Sequence, residues 1–214
     1  MASAYPAGTT FFDSLKRSFS DVPVDAAKEN AISTTEFLEA AESLITLFGV
    51  YMLGELAGNP AMFAFTPVKS DMGGNIKKIR DRQLAAPAES ETLQALVQNE
   101  LKLKKPVASG GLLWLVRGLD FTAKALRKNT SNSTEELSDS FRSAYGDTLK
   151  PHHNFMVKPV FSAAMSATPY RKDFYQKLGD DQEQVKAKLE AWLTALEKQV
   201  EILQVFQEKA GVKG

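Results

Sequence analysis

Pro67-Val68-Lys69-Ser70-Asp71-Met72-Gly73-Gly74-Asn75-Ile76-Lys77-Lys78-Ile79 carries two patterns on one helix. Val68, Met72, Ile76 and Ile79 recur at helical spacing and form an apolar stripe. Asp71, Asn75 and Lys78 form a second stripe, about 90° round the helix from the first. The trio therefore borders a core instead of pointing straight out. An acceptor, an amide and a cation so placed can hold hydroxyl groups. Spacing alone more often means a solvated face whose residues pair with one another. Gly73 and Gly74 in mid-helix cost about 1 kcal/mol each against alanine, which predicts close approach of a backbone or a ligand there.

The same helical period runs through nearly all of the chain, with no convincing strand. Helices are expected at about 10–20, 34–53, 67–83, 90–103, 109–128, 134–149, 152–168 and 181–208. Ser33-Thr34-Thr35-Glu36 and Ser133-Thr134-Glu135-Glu136 read as capping boxes, Thr66-Pro67 as an N-cap with proline at N1, and Asp180 with Glu183 as the start of the last helix. Breakers fall between these segments at Gly58-Asn59-Pro60, Ala86-Pro87, Pro106, Pro151, Pro169 and Gly179. Pro159 lies inside the seventh segment, where it should kink the helix. Gly111-Leu112-Leu113-Trp114-Leu115-Val116 is apolar all round, so its helix is expected at the centre. In the last helix Val185, Leu189, Trp192, Leu196, Val200 and Leu203 form one stripe, as in an outer helix laid on a core. The expected architecture is all-α, one domain over 1–214 with its core at about 8–206, without repeat or linker.

Composition excludes several functions. Of 214 residues, 43% are hydrophobic and 24% charged, as in a soluble globular protein. Lys plus Arg equals Asp plus Glu, 26 each, so no bulk field draws in nucleic acid. The absence of cysteine removes thiol nucleophiles, disulfides and zinc-thiolate sites. Met-Ala-Ser-Ala-Tyr-Pro is not a signal peptide, and no stretch reaches the ~18 apolar residues of a membrane span. A cytoplasmic protein is expected, in which the sequons at Asn129 and Asn132 are never glycosylated.

Other residues bear on chemistry. Trp114 is either core or an aromatic plate for the C–H face of a sugar. Arg117, in a helix that otherwise excludes charge, is expected to form a salt bridge with Asp120 or Asp71. His152 and His153 follow Pro151 beside Phe155. On a helix adjacent rings point about 100° apart, so the two make no metal pair. Either can meet a ligand or merely cap the helix. No nucleophile elbow, phosphate loop or dinucleotide fingerprint is present, and Asp71 has no second carboxylate at partner spacing. Neither an enzyme, a metal nor a cofactor is expected.

Three pieces together resemble the glycolipid transfer protein family, above all its fungal branch, which includes a heterokaryon-incompatibility protein. They are Phe65-x-Pro-Val-Lys-x-Asp71-Met-x-Gly-Asn75-Ile-x-Lys78-Ile, Leu-Leu-Trp114-Leu-Val-Arg117-Gly-Leu, and His153-Asn-Phe155-Met-Val157-Lys-Pro-Val-Phe161-Ser-Ala-Ala-Met, followed by Pro169-Tyr-Arg-Lys-Asp-Phe174. The resemblance implies two layers of α-helices, eight in all. It implies a headgroup centre of Asp71, Asn75, Lys78, Trp114 and His153, with Trp114 stacked on the first sugar. Asp71, Asn75 and Lys78 would bond its hydroxyls, and Asp71 and His153 would orient the ceramide amide. By the same resemblance, Phe161, Ala164, Met165 and Phe174 line an apolar tunnel for the lipid chains. Phe155 with Lys158 would touch the membrane, Phe155 standing where other members carry tryptophan. Retention of Asn75 and Trp114 favours a sugar over a phosphate headgroup.

Some features depart from the family. Residues 49–65 read as a lengthened apolar connection, which would add membrane contact or extend the core. The tail Gln207–Gly214 lacks the aromatic that relatives return to the headgroup. Phe11-Phe12-Asp13-Ser14 faintly resembles a two-phenylalanine motif for endoplasmic-reticulum tether proteins, but Phe11, Phe12, Leu15 and Phe19 also suit a buried helix. The expected function is non-enzymatic binding and intermembrane transfer of glycosphingolipids by a monomer acting peripherally at membranes. The alternative is a glycolipid sensor that reports to a protein partner.

Overall fold

The computed structural model describes residues 5–50 and 60–213, with the side chains of 48–50 and 60–65 set aside. Eight α-helices carry the described fold: α1 (Thr34–Val50), α2 (Pro60–Ala85), α3 (Leu93–Glu100), α4 (Val107–Ser131), α5 (Leu137–Asp147), α6 (Val157–Ser166), α7 (Arg171–Leu178) and α8 (Gln182–Lys209). The expected number is met, but with different members. The segment at 10–20 is not an α-helix: it forms two short 3₁₀ turns, Phe11–Ser14 and Phe19–Asp21, which bury Phe11 and Phe19. In its place α7 fills the interval between Pro169 and Gly179. Strand was not expected, yet β1 (Val24–Asp25) and β2 (Ala31–Ile32) form a minimal antiparallel ladder. Glu29 and Asn30, both at positive φ, turn the chain between them.

The helix starts show which local signals act. Ser33 precedes α1, and its hydroxyl meets the Glu36 carboxylate side chain to side chain, while its backbone N–H donates to the Pro23 carbonyl (3.1 Å). This contact is not the reciprocal side-chain-to-backbone pair of the expected capping box. The box at Ser133 does not form. Thr134 instead bonds Asn132 Oδ1 (2.9 Å), and α5 begins after Glu136. Asp181, not Asp180, caps α8 through the backbone N–H groups of Glu183 and Gln184. Pro60 is the first residue of α2, so Thr66-Pro67 lies inside that helix and is no N-cap. Residues 60–65 thus belong to α2 and 49–50 to α1, and the remainder of the expected connection, 51–59, lies outside the described residues. Pro159 sits in the first turn of α6, where its missing N–H has no intrahelical partner to lose, so no kink follows.

Helix α4 is central, packing against α2, α3, α5 and α8. Its start is fixed by Glu100, 4% exposed at the end of α3, which accepts from the Ala108 N–H (2.8 Å) and the Ser109 hydroxyl (2.6 Å). A carboxylate there satisfies free amides and the positive end of the helix together. At the other end of α4, Asn129 is fully buried. Its amide donates to the Glu135 carbonyl (2.9 Å) and Ser140 Oγ (3.1 Å), and its Oδ1 accepts from Arg171 and from Tyr175 Oη (3.1 Å). One side chain therefore joins α4, α5 and α7.

The stripes of α2 and α8 are buried as expected, and Trp192 packs on Phe12 and Phe19. The tether motif is accordingly consumed by the fold: Phe11 is 2% exposed, Phe12 packs on the core, and Asp13 pairs with Lys188. Removing the Asn129 hub strands several buried groups at once. Asn129→Ala is expected to lower unfolding stability by about 2–3 kcal/mol, read as a lower midpoint in urea with unchanged slope.

Candidate functional site

Where α2 and α4 meet, the backbones come close. A Cβ placed on Gly111 would lie 3.2 Å from the Asn75 carbonyl oxygen and from Cβ and Cδ of Lys78, and one on Gly118 would lie 3.7 Å from Met72 Cγ. The two helices therefore run antiparallel, and Trp114, between the two glycines, falls at the level of the polar trio. Close approach of a backbone or a ligand was expected at Gly73 and Gly74, and no described backbone supplies it. There a Cβ would meet only Ile45, at 3.9 Å, or no described atom within 4 Å. The glycine that matters is on the partner helix.

Asp71, Asn75 and Lys78 form a directed chain: Lys78 Nζ donates to Asn75 Oδ1 (2.9 Å), and Asn75 Nδ2 points at Asp71 Oδ2 (3.4 Å). Asn75 is 2% exposed, while Asp71 and Lys78 stay open to solvent. The buried amide is thus held in one orientation. The Asp71 carboxyl is pushed above the usual carboxylate range, dehydration outweighing the pull of Lys78 and Asn75.

His152 and His153 do not lie on a helix. They occupy a turn before α6, where Asn154 Oδ1 accepts from the backbone N–H of Met156 (2.9 Å) and Val157 (3.1 Å) and takes the capping role. Freed from helical divergence, both rings reach Trp114: His153 lies nearly parallel to it at 5.9 Å and His152 edge-on at 6.4 Å. Arg117 forms no ion pair among the described residues. Its guanidinium lies 4.9 Å from the Trp114 ring centre, and Asp120 pairs with Lys124 instead.

Tyr145 Oη is 3.1 Å from His153 Nδ1, and Phe161 packs against both rings, 4.5 Å from His153 and stacked on Tyr145 at 5.5 Å. Burial pushes His153 below its ordinary pKa, with His152 and Lys158 adding to the effect. His152 is lowered by dehydration and by Arg117. Neither Tyr145 nor Gly111 was anticipated. The Gly110-Gly111 pair opening an apolar helix was the available signal for one, and nothing in the sequence pointed to the other.

Of the residues expected to line a tunnel, Phe161, Ala164 and Met165 are buried on α6, and Phe161 leads inward from His153 to Phe121. Phe174 is buried too, but on α7, which packs against α8 and the Phe11–Ser14 turn. The described ring contacts do not bring it to His153. Just outside, Phe155 (82% exposed) and Met156 (69%) project beside the exposed Lys158. The C-terminal tail returns without an aromatic: Gln207 and Val212 line a cleft of about 360 Å³ with Arg117, Asp120 and His152.

A polar and aromatic centre at the rim of an apolar pack, in an all-α frame, defines a helical protein suited to an amphiphile with a hydroxylated head. Comparison with known proteins agrees. A family model described as Glycolipid transfer protein (GLTP) matches residues 32–180. A protein of Aureobasidium melanogenum named Glycolipid transfer protein is 65% identical over 204 residues, covering 95% of this chain and 96% of that one. The crystal structure of HET-C2, a fungal glycolipid transfer protein, has a TM-score of 0.88 and 59% identity, covering 96% of this chain and 100% of that chain. A structure of FAPP2, said to select simple glycosphingolipids with the same fold, has a TM-score of 0.82 and 31% identity, covering 96% and 98%. The chain belongs to the glycolipid transfer protein family, and its eight-helix fold is the one that the family shares. None of its described helices is long and apolar enough to cross a membrane.

The histidine shifts set a pH dependence. Below the ordinary value of 6.5 the unfolded chain takes up protons that the folded one refuses, so stability falls as pH drops through that window. His153→Gln removes one of these groups and is expected to show a smaller fall in Tm between pH 7 and about pH 5.5 than the parent.

Proposed function

We propose that this chain binds one glycosphingolipid and carries it between membranes without altering it. The observation that carries the proposal is the junction at His153. On one side stand Trp114 and the Lys78–Asn75–Asp71 chain, and on the other Phe161 and the core. A lipid whose polar head meets its apolar chains at an amide fits such a boundary.

In this reading Trp114 stacks on the first sugar, while Asp71, Asn75 and Lys78 bond its hydroxyls. Lys78 spends one proton on Asn75 and keeps two for the ligand, and Asp71 retains acceptor capacity beyond its contact with Asn75. Neutral His153, with Tyr145 donating to Nδ1, carries its hydrogen on Nε2 and offers it to the ceramide carbonyl. Asp71 takes the amide N–H. Phe161, Ala164 and Met165 part to admit a chain, with Phe174 further along. Each methylene buried contributes about 0.8 kcal/mol, which offsets dehydration of the head. Phe155, Met156 and Lys158 give shallow, reversible contact with a bilayer, suited to a peripheral carrier that must leave again. Asp71 lacks a second catalytic group, which argues for carriage over chemistry on the lipid.

Vesicle-to-vesicle transfer of labelled lipids tests this. Glucosylceramide and galactosylceramide should move and ceramide-1-phosphate should not. Asp71→Val and Trp114→Ala should each lose about tenfold to a hundredfold, the range expected for a charge-assisted bond or a stacking plate. Undiminished transfer by either variant would remove the site assignment. Lipid that stays bound instead of moving would favour a sensor.

A further inference from the structure

The turn between α3 and α4 together with the first residue of α4, Leu101-Lys102-Leu103-Lys104-Lys105-Pro106-Val107, is exposed at every position. Leu101, Leu103 and Val107 are 37%, 49% and 56% exposed, although the chain has ample core to hide them. The segment is ordered by its own bonds, Leu103 N–H to the Glu100 carbonyl (2.8 Å) and Val107 N–H to the Lys105 carbonyl (3.0 Å). Glu100 bonds the first turn of α4 from the end of α3, so the seven residues between are held outward as a loop.

Charge adds a second observation. The whole chain is neutral, yet these seven residues hold three lysines and no acid. Lys102 donates to Asn99, and among the described residues neither Lys104 nor Lys105 has an ion-pair partner. Glu89, whose backbone carbonyl accepts from Asn99 at the end of α3 (3.2 Å), has its carboxylate occupied by Arg82 (2.5 Å). Because α2 and α4 are antiparallel, the C-terminal end of α2 lies at this same end of the molecule and brings Leu84, 71% exposed.

We propose that the Leu101–Val107 loop is a second membrane contact, made with the surface of a bilayer rich in anionic phospholipid. Alternating apolar and cationic side chains on an exposed turn match a lipid interface, in which the lysines meet headgroup charge and the leucines enter the acyl boundary. A nucleic-acid or acidic-protein partner would use the lysines and leave the leucines in water. This contact uses none of the residues around Phe155 and does not depend on glycolipid carriage.

The test is co-sedimentation of the full chain with glycolipid-free phosphatidylcholine vesicles, with and without added phosphatidylserine. Phosphatidylserine should raise binding of the parent, and added salt should cancel the gain. Lys104→Glu with Lys105→Glu should lower the phosphatidylserine-dependent partitioning at least about thirtyfold, roughly fivefold for each lysine lost. Binding to neutral vesicles should change little. Arginine at both positions should keep the gain, and Leu103→Ser should weaken binding to both kinds of vesicle. Helical circular dichroism should be unchanged throughout, since all three sites are solvent-exposed. Indifference of the parent to phosphatidylserine overturns the proposal, as does a gain that survives the double charge reversal. Preferential binding of RNA or an acidic polypeptide, with no response to phosphatidylserine, also overturns it and assigns the patch to another partner.

Discussion

The close passage of α2 beside α4 at Gly111 is the contact on which the rest of the site depends. Even a Cβ on Gly111 would lie 3.2 Å from the Asn75 carbonyl oxygen, tight enough that α2 would have to shift slightly to admit it. That closeness sets Trp114 at the level of Asp71, Asn75 and Lys78, and it lets the buried Asn75 amide be fixed from both sides by its neighbours on α2. The polar trio alone would be an ordinary solvated helix face. Beside an indole held by two imidazoles and a guanidinium, it becomes part of a polar and aromatic centre.

A second set of contacts joins that centre to the interior. His153 touches Trp114 on one side and Phe161 on the other, and Tyr145 holds its Nδ1. Burial lowers the pKa of the ring, which favours its neutral, directional hydrogen-bonding form over the cation. The exposed Phe155 and Met156 begin two residues later. Thus a few consecutive residues link an exposed apolar surface, the polar centre and the apolar core. This ordering suits the proposed carriage of a lipid with a polar head and apolar chains.

Much of this was legible in the sequence, for physical reasons that differ by element. The stripes of α2 and α8 and the central place of α4 follow from periodicity, because burial enforces it over many turns. Polar side chains misled where another residue could do the same work. Asp181 displaced Asp180 as a cap, Asn154 displaced the histidines, and Pro60 took the N1 place expected for Pro67. Arg117 was expected to seek a carboxylate and found an aromatic face instead. The short 3₁₀ turns at Phe11 and Phe19 resemble a helix in sequence because both bury every few residues against the same core. The contact at Gly111 could not be read, since it depends on which helix lies opposite.

Trp114 offers a direct probe, because Trp192 is the only other indole and is buried in the core. In a Trp192→Phe background, emission from Trp114 can be followed as glucosylceramide-containing vesicles are added. A sugar stacked on the indole should shift and quench that emission in a saturable manner. The change should be absent with plain phosphatidylcholine vesicles and lost on adding Asp71→Val. Emission that stays unaltered while the same protein transfers glucosylceramide would contradict the placement of the sugar at Trp114.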